Sequence, residues 1–124
     1  MAVTWIKKAE EKGTATLSNS YVVINQMFAD KFSSSYSALL GVDENNNLIF
    51  KPLKLDEVEL PKYKNGILLK VNVFSSFVRL GNTKNMKIIG ELLNLSLDKS
   101  GKKFQTYWSK EENALVVETG ERSL

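Results

Sequence analysis

"VDENNNLIFK" (residues 42–51) and "SKEENALVVE" (residues 109–118) share one plan, and that plan decides how the rest of the chain is read. Each has a polar, turn-forming cluster followed by an apolar run built on leucine. Asparagine tolerates the positive φ that tight hairpin turns require, so both stretches predict a chain reversal between two strands. A shift of 67 residues superimposes Glu44 on Glu111, Asn46 on Asn113, Leu48 on Leu115, Ile49 on Val116 and Phe50 on Val117.

The similarity extends outward from these turns. "ATLSNSYVVI" (15–24) matches "VNVFSSFVRL" (71–80) at a shift of 56. Apolar positions coincide at Ala15/Val71, Leu17/Val73, Tyr21/Phe77, Val22/Val78 and Ile24/Leu80, and Asn19-Ser20 meets Ser75-Ser76. The two shifts differ by 11 residues, so the second half carries an insertion, for which "NLSLDKSGKK" (94–103) is the candidate. Such self-similarity marks a duplicated unit.

Each half reads as a strand pair about a short polar turn, then a short helix, then a hairpin. Leu69, Val71 and Val73 alternate with Lys70 and Asn72, the period of a half-buried strand. "NTKNMKIIGELL" (82–93) offers Asn82 or Thr83 as N-cap, with Met86, Ile89 and Leu93 on one face and Lys84, Lys87 and Glu91 on the other. "QMFADKF" (26–32) is its shorter counterpart, with Phe28 and Phe32 four apart. Before the first hairpin turn Ala38, Leu40 and Val42 alternate. "KLDEVELPKYKNG" (54–66), interrupted by Pro61 and Gly66, reads as a connector. The expectation is therefore one mostly-β α+β domain: a first repeat over about 14–53, a connector over 54–66 and a second repeat over about 67–119. Residues 1–13 and the last five have no partner in the repeat.

Composition narrows the chemistry. The 124 residues include no cysteine and no histidine, which removes thiolate nucleophiles, sulfur-bound metals and the commonest general base. There is no glycine-rich phosphate loop and no nucleophile elbow. Adjacent carboxylates at Glu10-Glu11 and Glu111-Glu112 point apart on either a strand or a helix. Glu57 and Glu59 would share a strand face, but they lie in the charged connector. Asp43, Glu44 and the following asparagines offer oxygen ligands, yet a hairpin turn accounts for them more simply. Neither an enzyme nor a cofactor is expected. No apolar run reaches the ~20 residues of a membrane helix, and the lysines near the start precede no apolar core of a secretory signal, so a cytoplasmic protein is expected.

Charge is unevenly distributed. The net charge is +3, but residues 62–110 hold nine lysines and Arg79 against Glu91 and Asp98, a local balance of +8. Acidic stretches flank this belt: "LDEVE" (55–59) before it, then Glu111, Glu112, Glu118 and Glu121 after it. A basic belt of this kind points to an anionic partner, while a solvated lysine-rich surface has the same composition. The candidate nucleic-acid contacts are Lys62 and Lys64 in the connector, Arg79 on the repeated strand, Lys84 and Lys87 on the helix, and Lys99, Lys102 and Lys103 around Gly101 in the insertion. Lysine neutralises phosphate without reading bases, and only Arg79 and Arg122 offer a planar fork, so binding of weak sequence specificity is expected. The competing expectation is a protein-interaction module, an adaptor or antitoxin-like partner anchored by aromatics such as Trp5, Tyr107 or Trp108.

The order strand, turn, strand, short helix, hairpin resembles half of an AbrB-like swapped-hairpin domain, the family of the transition-state regulators, MazE-type antitoxins and MraZ proteins. "SNSYVVINQMFADKF" and "VDENNNLIFKPL" resemble its strand–helix portion and closing hairpin, and residues 71–119 resemble a second copy. The resemblance implies two copies interleaved into one barrel, with further self-association permitted, and a DNA-binding, transcription-regulating role with DNA ahead of RNA. The family's Arg-Val-x-Ile-Pro signature is not reproduced. Its Arg positions correspond to Tyr21 and Phe77, and its Pro positions to Asn25 and Gly81.

Overall fold

A computed structural model describes residues 2–5, 13–25 and 28–120. Glu10, Glu11, Glu121 and Arg122, singled out above, lie outside the described residues, as do the first two residues of the "QMFADKF" helix.

The described residues form eight strands: β1 (Gly13–Leu17), β2 (Val22–Asn25), β3 (Ser37–Val42), β4 (Leu48–Leu53), β5 (Leu68–Val73), β6 (Phe77–Leu80), β7 (Lys102–Ser109) and β8 (Ala114–Val117). They close into a barrel in the order β1-β2-β6-β5-β3-β4-β8-β7, and every pairing is antiparallel. Eight strands enclose a space that side chains alone can fill. Ala15, Leu17, Val22, Ile24, Leu48, Phe50, Val78, Leu80, Leu115 and Val117 fill it, each fully buried. Among the described strands closure leaves no sheet edge open to pairing with another chain.

Among the described residues three α-helices accompany the barrel: α1 (Ala29–Phe32), α2 (Leu55–Val58) and α3 (Thr83–Leu93). Asn82 is the N-cap of α3, and its side chain accepts the Asn85 N–H at 3.0 Å. Asn94 ends the helix in the left-handed conformation, a position where its short polar side chain is tolerated. Met86, Ile89 and Leu93 are buried in the same apolar cluster as the barrel interior, which also takes Phe32 of α1.

The ring of neighbours is unchanged when β1–β4 are exchanged in order with β5–β8. β2 meets β6 with Val22 opposite Leu80 and Ile24 opposite Val78. Moving both partners by 56 converts the first pair into the second. β4 meets β8 with Leu48 opposite Val117 and Phe50 opposite Leu115, which the shift of 67 interchanges in the same way. The hairpins differ by one residue. Five residues separate Val42 from Leu48, whereas four separate Ser109 from Ala114.

Several expectations need correction. The connector contains α2 and a 3-10 turn at Pro61–Tyr63, and Glu57 lies on this helix instead of a strand face. Its carboxylate accepts the Lys54 N–H at 2.9 Å and so starts the helix. The alternation in β5 fades outward: Leu69 is buried, Val71 half-buried and Val73 46% exposed. Likewise Ala38 is buried, but Val42 at the far end of β3 is exposed. Lys102 and Lys103 begin β7 and are not part of the loop before it.

Candidate nucleic-acid interface

The turn between β1 and β2 holds several of the candidate groups in place. Ser18 shapes it: its hydroxyl oxygen accepts the N–H groups of Ser20 (3.2 Å) and Tyr21 (3.3 Å), while its own N–H donates to the Tyr21 carbonyl (3.1 Å). This fixes Tyr21 at the mouth of β2. The Arg79 guanidinium on β6 lies 5.0 Å from the centre of the Tyr21 ring and 5.2 Å from that of Phe74. Phe74 in turn stacks on Phe77, with ring centres 4.7 Å apart and planes 22° from parallel. Four groups from the β1–β2 turn, β6 and the β5–β6 turn thus form one surface stack. Arg79 is half-buried there, while Tyr21 and Phe74 remain 36% and 41% exposed. A guanidinium over an aromatic face gains about 0.5–1 kcal/mol at exposed sites, so the rings orient the arginine without removing it from solvent.

The same turn reaches the insertion and α3. The Asn19 N–H donates to the Asp98 carbonyl at 2.9 Å, which ties the turn to the segment carrying Lys99. Asp98 organises that segment. Its carboxylate accepts the Ser100 hydroxyl at 2.8 Å and the Gly101 N–H at 3.0 Å. Gly101 has φ +79°, and a Cβ there would press on the Thr16 side chain at 2.7 Å. The Ser100 hydrogen bond, helped by the Gly101 N–H and the Lys102 charge, holds the Asp98 carboxyl below its ordinary range. Lys102 and Lys103 follow, paired with Leu17 and Thr16 of β1, and both are exposed. Asn19 also lines an open pocket of about 500 Å³ together with Thr83, Met86, Lys87, Gly90, Glu91, Asn94, Leu95 and Leu97.

Arg79, Lys87, Lys99 and Lys102 are therefore linked to one turn through Tyr21, the pocket and the Asn19–Asp98 bond. Lys84 lies one turn before Lys87 on α3 and is exposed. Lys103 neighbours Lys102. Lys62 and Lys64 lie elsewhere, on the connector, where Lys62 sits 5.0 Å from the Tyr63 ring centre and no described contact joins them to the others. Among the described residues no carboxylate lies within ion-pair distance of a candidate basic side chain. The Asp43 carboxylate organises its own turn: it accepts the N–H groups of Asn45 and Asn47, each at 2.9 Å. No group of three or more metal-ligating side chains gathers among the described residues. Sequence reasoning missed Tyr21, Phe74 and Phe77 as companions of Arg79. The available signal was that Arg79 and Phe74 align with Val23 and Ser18 at the shift of 56.

No family model, no curated protein and no solved structure matches the chain. Among the described residues no helix is long and apolar enough to cross a membrane.

Proposed function

We propose that the chain is an AbrB-like duplicated barrel, with repeats over about 14–53 and 67–119 joined by the connector 54–66, acting as a small intracellular nucleic-acid-binding regulator. Supporting the architecture, the order of neighbours and the registers of β2/β6 and β4/β8 are preserved when the halves are exchanged. In this reading each half supplies what the other needs to close the barrel.

One observation carries the function: exposed basic side chains of the second half stand around a single turn, where Asp98, facing Lys102, is the carboxylate that holds the turn together. A lysine already neutralised by a carboxylate adds little to phosphate binding, whereas an unpaired one releases a counterion when it meets phosphate. Lys84, Lys87, Lys99, Lys102 and Lys103 are assigned to phosphates, with Arg79 at the centre and Lys62 and Lys64 as outlying contacts. Affinity is then general and salt-dependent, with weak sequence preference.

A gel-shift salt titration tests this reading. Binding to DNA should weaken steeply as salt rises. Lys84→Glu with Lys87→Glu should reduce affinity and make the log–log salt slope shallower by about two phosphate contacts, each worth about 0.9 in slope. Absence of binding to any DNA or RNA at low salt would remove the proposal.

A further inference from the structure

The aromatic stack around Arg79 narrows the class of nucleic acid, on the assumption that the proposed function is right. We propose that the stack of Tyr21, Arg79, Phe74 and Phe77 receives an unpaired nucleobase, so that the partner is a single strand and not a duplex.

The argument begins from what the rings do in the protein. Phe74 and Tyr21 contribute nothing to the buried apolar cluster. Both leave over a third of their surface in water, and Arg79 lies against them without a carboxylate among the described residues. Lysines alone serve a phosphate track, and a duplex asks for little more where binding is sequence-blind. Flat, half-exposed rings add value only where a base can leave its neighbours and lay its face on them, which bases inside a duplex cannot do without unstacking. Arg79 lies against both the Tyr21 and the Phe74 ring, and Phe74 lies on Phe77, so a base would extend the stack at its Tyr21 end, where the Arg79 N–H edge can meet a phosphate.

The surroundings suit a strand. The Ser18–Tyr21 turn places Tyr21 in the stack and bonds Asn19 to Asp98, so the stack adjoins the segment carrying Lys99 and Lys102. A base on the rings would thus leave its flanking phosphates beside that basic segment. Charge argues against a second copy of this chain as occupant, because it would bring two basic faces together.

Fluorescence anisotropy decides the matter with four probes of matched length: an oligothymidylate, a phosphodiester strand with abasic sites throughout, a thymine–adenine duplex and polyglutamate. The thymidylate should bind about tenfold tighter than the abasic strand, because base–aromatic stacking is worth about that much, and tighter than the duplex or polyglutamate. Tyr21→Ala should weaken thymidylate binding about 5- to 30-fold at unchanged salt slope. Tyr21→Leu, which keeps apolar volume, should lose the same increment, and Phe74→Ala, which removes one of the two rings against Arg79, should lose part of it. Equal binding of thymidylate and abasic strand, or tighter binding of the duplex, overturns the inference and leaves the lysine-based reading standing. Polyglutamate binding as tightly as thymidylate overturns the inference too and points to an acidic protein partner. Failure of every nucleic acid to bind at low salt removes both readings.

Discussion

The two hairpin turns are built on the same residue and secured by different means. Asn46 has φ +64° and Asn113 φ +52°, so each chain reversal passes through one asparagine in the left-handed region. Beyond that they part. In the first turn Asp43 accepts two backbone N–H groups, and the segment after β8 closes over the outside. Thr119 Oγ1 donates to the Asn46 carbonyl at 2.8 Å and accepts the Leu48 N–H at 3.0 Å, while the Gly120 N–H donates to Asn47 Oδ1 at 3.0 Å. Gly120 approaches so closely that a Cβ would overlap the Asn45 carbonyl. The second turn is four residues long and exposed; the Ser109 hydroxyl oxygen accepts the Glu112 N–H at 3.2 Å. Lys51 reaches across to it and donates to the Glu112 carbonyl. The first turn is thus a fastening point for the end of the barrel, and the second is a plain reversal.

The largest effect expected from breaking this asymmetry is at Thr119. Thr119→Val keeps the shape and removes the hydroxyl, leaving the Leu48 N–H and the Asn46 carbonyl without that partner. Unsatisfied buried groups cost about 1–3 kcal/mol each, so the variant should lose about 2–4 kcal/mol, seen as a fall in Tm on the order of 10 °C. Ser109→Ala is the matching test in the second turn. It removes one exposed hydrogen bond and should cost about 0.5 kcal/mol. Equal losses in the two variants would mean that the first turn fastens nothing.

The asparagines probe what the turns share. Asn46→Ala and Asn113→Ala each place a Cβ-bearing residue without a polar side chain in the left-handed region, which costs about 1–2 kcal/mol. Chemical denaturation should show similar losses for both. A much larger loss at Asn46 would mean that its carbonyl bond to Thr119 is broken as well.

Both turns were legible in the sequence because their chemistry is local: an asparagine at the same offset before a leucine-bearing run. The α3 cap and its buried Met86, Ile89 and Leu93 were legible for the same reason. The fastening of the first turn was not, because Thr119 follows Leu48 by 71 residues. Helix α2 was hidden because "LDEVE" lies in a charged stretch that Pro61 and Gly66 mark as a connector, and the Glu57–Lys54 bond that starts the helix depends on geometry. At the candidate site the lysines were visible as composition, whereas their arrangement depends on the Asn19–Asp98 bond between distant segments. Phe74 was obscured because its counterpart, Ser18, is a turn residue. Its role emerges only when β5, β6 and β2 lie side by side.

The smallest expected effect sharpens the comparison with a third turn, in the segment by which the second half exceeds the first. Asp98 leads this turn as Asp43 leads the first hairpin, accepting Ser100 and Gly101 through one carboxylate oxygen. Its carboxyl is held below the ordinary range chiefly by the Ser100 hydrogen bond. A carboxyl depressed in the folded state stabilises that state above its unfolded pKa, and the contribution fades as pH falls through the folded pKa. The turn should therefore keep its bonds through neutral and mildly acidic pH and loosen only below the usual carboxylate range. The Gly101 amide resonance reads this directly. Its acid titration should have a midpoint below 3.8, the ordinary value for this carboxyl. In Asp98→Asn that titration should disappear, with the rest of the spectrum little changed because the group is exposed. A midpoint at the ordinary value would show that Asp98 does not hold the turn. The segment bearing Lys99 would then be positioned by the Asn19 bond, and Asp98→Asn should leave nucleic-acid affinity unchanged apart from the effect of losing one negative charge.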